Sequence, residues 1–160
     1  MTFLLASDGF DDDGSGHFQR YREYLQSTKE SFPPSAFALA SSDWYHDYTD
    51  HRCPHVSWLE SMTFHENSSG ERQEKRSLSL KVRLLGAHHD GHIELIYPTV
   101  HSYRFDMWHT DRGHRDWRYD ELRLSDRGSL LHEIEWCALN DTGRWLIEAS
   151  DLEFRWLPTG

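Results

Sequence analysis

From Leu78 to Leu84 apolar and polar residues alternate without a break: Leu78, Leu80, Val82 and Leu84 against Ser79, Lys81 and Arg83. A period of two puts one set of side chains on each face of a β-strand. Asp90-Gly91 follows as a hairpin turn signal, and Ile93, Leu95 and Tyr97 carry the return strand. Strands this short, joined this tightly, cannot run parallel, because a parallel crossover needs a dozen or more residues. This unit therefore commits the chain to antiparallel sheet.

The rest of the chain after about residue 56 reads the same way. Val56, Trp58, Met62 and Phe64 share one parity and predict a strand to about Glu66, closed by the turn Asn67-Ser-Ser-Gly70. Val100 to Met107 resumes after Pro98, with Tyr103, Phe105 and Met107 on one face. Asp116 to Leu124, Leu130 to Cys137, Arg144 to Ala149 and a last run through Leu152, Phe154 and Trp156 follow, separated by Gly-containing turns. Residues 56–157 are thus predicted to be an antiparallel β core, a meander of six or seven strands. Such a sheet must cover its apolar face. The expectation is closure as a barrel or a strongly curled sheet.

Residues 1–55 are less regular. Phe18, Tyr21 and Leu25 recur at helical spacing between Ser15 and Pro33-Pro34, which predicts a short N-terminal helix. Ser35 to Ala40 alternates weakly and is assigned as a strand. Ser41 to Pro54 is aromatic, acidic and His-rich without period, a long loop of the kind that is functional when ordered. No linker, repeat or low-complexity segment divides the chain, so residues 1–160 are expected to form one domain.

Charge narrows the function classes. Lys+Arg is 17 and Asp+Glu is 27, a formal net charge of −10. An acidic surface disfavours nucleic acid and anionic membrane and favours a basic protein partner. Cys53 and Cys137 form no CxxC and are expected to be reduced thiols in a cytoplasmic protein. The N-terminus has no basic n-region and only FLLA as an apolar run, too short for a signal peptide. No stretch approaches the roughly 18 apolar residues of a membrane span.

Chemistry-bearing patterns are sparse. Asp11-x-Asp13-x-Ser15-Gly16 opens like an EF-hand loop, but Arg22 stands where the bidentate Glu belongs. His109, Asp111 and His114 are the residues a Zn, Fe or Mn ion would take if one bound, yet they form no closed ligand signature. No metal or cofactor is therefore expected. GxSxG, GxGxxG and the P-loop are all missing from the sequence. Asp116, Asp120, Glu121, Glu133 and Glu135 offer paired carboxylates across a predicted hairpin, interleaved with Arg115, Arg118, Arg123 and Arg144. Arg118 and Asp120 share the parity of Leu122 and Leu124 and are predicted to point inward, where charges must pair or line a cavity. A one-residue bulge would reverse those faces.

Two functions fit. The first is a non-catalytic acidic interaction protein, of the kind that neutralises a basic partner as immunity proteins do. The second is a small-molecule- or metal-binding barrel, or a hydrolytic enzyme, whose pocket would draw on Arg115, Arg118, Asp120 and Glu133. A deep polar pocket containing Arg118 would favour the second, and a filled core the first.

Overall fold

The computed structural model of the protein describes residues 15–107, 109–138 and 141–160. Its elements in chain order are α1 (Ser15–Thr28), a 3₁₀ turn (Lys29–Ser31), α2 (Pro34–Ala40), and strands β1 (Trp58–Ser69), β2 (Lys75–Leu85), β3 (Gly91–Tyr97), β4 (Val100–Asp106), β5 (Asp116–Leu124), β6 (Leu130–Ala138), β7 (Asp141–Ala149) and β8 (Glu153–Pro158). All eight strands join one antiparallel sheet in the order β4-β7-β6-β5-β1-β2-β3-β8.

The expected barrel or strongly curled sheet does not form, and neither does a simple meander. The sheet is open, with β4 and β8 as its two edges. The strands fall into two runs, β4-β7-β6-β5 and β1-β2-β3-β8, that meet at a single pair, Trp58 opposite Asp116. Beyond that pair the edge of β5 is satisfied by side chains instead of a strand. The Tyr21 hydroxyl donates to the Leu122 carbonyl (2.8 Å) and accepts from the Leu122 N–H (3.1 Å). The Tyr24 hydroxyl accepts from the Leu124 N–H (2.8 Å), and His55 Nδ1 reaches the Arg118 carbonyl (2.8 Å). A strand edge covered by a helix and a loop needs no further partner.

Helix α1 forms as its periodicity predicts, with Tyr21 and Leu25 buried against the sheet. The assignment of Ser35 to Ala40 as a strand is overturned, because the segment is helix α2. Pro34 stands in its first turn, where a missing N–H costs nothing. The Asp151 carboxylate, from the β7–β8 turn, accepts the Ala36 N–H (2.9 Å) and the Ser35 N–H (3.3 Å). A remote carboxylate thus supplies the cap that the local sequence lacks.

The core combines three sources. Leu80, Val82, Leu84, Ile93, Leu95 and Tyr97 come from one run, and Trp117, Leu122, Leu130, Ile134, Trp136, Trp145 and Ile147 from the other. The helices and loop add Phe32, Ala36, Leu39 and Tyr45. The loop at 41–57 is a chain of tight turns, with Tyr45 N–H to Ser42, Asp47 to Trp44, Asp50 to Asp47 and Cys53 to Asp50. It is ordered by buried Tyr45 and Cys53. No described helix is long and apolar enough to cross a membrane.

Candidate functional site

The inward charges predicted on β5 resolve into a buried hydrogen-bond chain. Asp120 does point inward, as its parity with Leu122 requires. Its Oδ2 accepts from the Tyr45 hydroxyl (2.5 Å) and from His132 Nε2 (2.8 Å). The other ring nitrogen, Nδ1, meets the Tyr97 hydroxyl at 2.7 Å. One assignment satisfies every group: both tyrosines donate, Nε2 carries the imidazole proton, and Asp120 is ionised. Burial, and then the Asp120 charge, push the phenols of Tyr45 and Tyr97 well above the usual tyrosine range. The same two causes act on Tyr21.

The chain joins the loop (Tyr45), β5 (Asp120), β6 (His132) and β3 (Tyr97), so it ties both runs of the sheet together. His-Asp-Tyr sets of this composition can relay protons to a substrate that reaches them. All four residues here are shut away from solvent. Their work is to fix the packing of four segments, because a satisfied polar network in a low-dielectric interior rigidifies its surroundings.

A second charged cluster lies on the other face of the same strands. Arg123, 2% exposed, bonds Glu121 (3.0 Å) and Glu133 (2.8 Å). Arg144 continues it to Glu133 (2.7 Å) and Glu135 (3.6 Å). Cross-strand pairing on this face gives a ladder of alternating sign, mostly neutralised within itself.

The sequence-derived pocket is not assembled. Arg118 sits at a bulge between Trp117 and Tyr119, and its guanidinium lies over the Tyr119 ring at 5.0 Å, away from Asp120. That bulge also turns Trp117 onto the inner face opposite Trp136, against its expected parity. Glu133 belongs to the outer ladder. Arg115 bonds the His109 carbonyl and approaches Asp141 at 3.7 Å.

The metal candidates also diverge. His109 is exposed at a positive φ of 58°, Asp111 bridges to Gly113, and the His114 ring packs edge-on against Trp136 at 4.4 Å. Among the described residues, no three His, Cys, Asp or Glu side chains converge as an ion would require. Asp11 and Asp13, the opening of the calcium-like loop, lie outside the described residues.

What sequence reasoning missed is exposed. Shared parity puts Val56, Trp58, Met62 and Phe64 on one face, but β1 shifts register between Leu59 and Ser61. Met62 faces inward opposite Val82, whereas Trp58 opposes Leu85 and Asp116 on the outer face and is 48% exposed. The same outer row runs through Cys137, Asp116, Trp58, Leu85, His92 and Leu157. Exposed Tyr48 and Val56 belong to the neighbouring loop, where Tyr48 stacks on His55 at 3.8 Å. On the β2–β3 turn, His88 stacks on His51 (3.8 Å) and His89 packs on Trp58 (4.7 Å). Elsewhere, an open groove of about 640 Å³ lies between Glu66, Arg76, His101, Arg127 and Glu148, with charges of both signs.

Comparison with known protein families, with curated proteins and with solved structures finds no match.

Proposed function

We propose that this is a non-catalytic acidic interaction protein that neutralises a basic protein partner, in the manner of an immunity protein. The observation that carries this reading is the distribution of charge. Each buried acid has a partner in the same chain: Asp120 accepts from His132, Glu121 and Glu133 share Arg123, and Glu94 takes Lys81 and Arg83. Among the described residues, the acids outside the core still outnumber the Lys and Arg outside it. A surface of that sign speeds encounter with a basic protein and repels nucleic acid and anionic membrane. Cys53 and Cys137 are unpaired thiols, which suits a cytoplasmic setting.

The test begins with chemical cross-linking in the native host, followed by identification and purification of the cross-linked protein. Affinity is then measured against salt. A partner with a strongly basic face, binding less tightly as salt rises, supports the reading. A nucleic acid, or a partner whose affinity ignores salt, overturns it.

A further inference from the structure

Trp58 stands at the centre of the outer row described above, and we propose that it seats a lysine or arginine side chain of the basic partner, with the Asp116 carboxylate beside it. The proposal rests on the interaction reading and gives it a place.

Trp58 and Asp116 are direct partners across the β1–β5 joint. Direct antiparallel partners share a face, with Cβ atoms about 4.5–5.5 Å apart. An indole face attracts cations through its quadrupole, and a neighbouring carboxylate adds an ion pair to the same group. The other acids nearby are already engaged. Glu60 takes Arg83 (3.3 Å) and His92 (3.1 Å), Asp90 takes His51, and Glu135 faces Arg144. Asp116 is exposed and has no ion pair among the described residues, so it is the acid open to an incoming cation. The nearest cation on β5, Arg118, lies over Tyr119 and feels the charge of Glu135.

The backbone holds the indole outward at a cost. Val56 and His89, which flank it in sequence and in space, both adopt φ of 58°. That conformation is a genuine outlier for a β-branched residue. Hydrogen bonds clamp it, from Val56 N–H to the Trp117 carbonyl (2.7 Å) and from Trp117 N–H to the Ser57 carbonyl (3.1 Å). The indole remains half exposed, its ring tilted against His89 at 4.7 Å. Tryptophan and tyrosine in such positions are the residues that dominate protein interfaces, and Tyr48 at 47% exposure lies in the adjoining loop.

Two measurements test this. In the first, the indole N–H signal of Trp58, assigned by its loss in Trp58→Phe, is followed by NMR. The probes are N-acetyl-arginine amide and N-acetyl-glutamine amide. The arginine derivative is expected to shift the signal and the glutamine derivative to leave it in place, with the shift reduced at least threefold in Asp116→Asn. In the second, Trp58→Ala and Asp116→Asn are each expected to weaken the identified basic partner tenfold or more. Tyr103→Ala, an exposed aromatic on β4, should leave affinity unchanged. Undiminished partner affinity in both variants overturns this seat while the basic-partner reading stands. If no basic partner exists, the broader reading falls, and an indole signal indifferent to arginine removes the seat as well.

Discussion

Asp120 and His132 lie diagonally across the β5–β6 ladder, and their hydrogen bond, 2.8 Å from Oδ2 to Nε2, is the central link of a chain that ends in Tyr45 and Tyr97. Each carboxylate contact removed from such a chain strands a donor in a dry interior. That makes the network the most sensitive polar feature of the fold.

Asp120→Ala is expected to destabilise the protein by about 3–5 kcal/mol, the cost of leaving buried partners uncompensated. Arg118→Met should cost less than about 0.5 kcal/mol, the range for surface changes, because its guanidinium lies outside the network. Urea unfolding at pH 7 measures both. Equal losses would mean that the two charges act as a pair after all.

The buried phenols set an alkaline limit. Tyr21, Tyr45 and Tyr97 ionise more reluctantly in the folded chain than in the unfolded one, chiefly through burial. A raised folded pKa contributes stability that is fully present below the unfolded value of about 10. That contribution is lost as pH rises from there toward the folded values. Absorbance at 295 nm should show three tyrosines ionising only together with loss of near-ultraviolet circular dichroism. Their ionisation in the folded protein would contradict the network.

Cys53 should be chemically silent in the native protein. Its Sγ donates to the Tyr45 carbonyl (3.1 Å), and burial pushes the thiol up to about 12. Since the thiolate is the reactive form, iodoacetamide at pH 8 is expected to leave Cys53 unmodified until denaturant is added. Mass spectrometry of the peptide containing Cys53 provides the check.

Gly91→Ala should cost about 1–3 kcal/mol, as overpacking does. A Cβ at this position would lie 2.4 Å from the Trp156 ring, at the start of the β3–β8 pairing. Thermal unfolding reads the loss. Pairing the change with Trp156→Leu should recover part of it, because the smaller side chain vacates the contact.

The strands of the β2–β3 hairpin were legible because alternation and turn chemistry are local properties. Leu80, Val82 and Leu84 face inward as their parity requires. Reading failed where one extra residue or a distant group intervened. The bulges after Leu59 and after Trp117 reverse a face without changing the composition of the segment. Helix α2 owes its cap to Asp151, more than a hundred positions away. The edge of β5 is covered by hydroxyls that α1 brings from a similar distance. Of the buried network, Asp120 falls on an inward face by its parity with Leu122, and Tyr97 shares a face with Ile93 and Leu95. Tyr45 came from a loop without period, and nothing local marked it as their partner.

The order of strands also governs how the chain is made. β4 leaves its neighbour β3 to complete the run built by β5–β7, and β8 leaves β7 to complete the run that began with β1–β3. The first three strands of the sheet to emerge from a ribosome therefore lack their outer neighbour until residues 153–158 have been synthesised. The run β4-β7-β6-β5 has all its strands once β7 is made, whereas the outer edge of β3 stays available to any other strand it meets until β8 pairs with it.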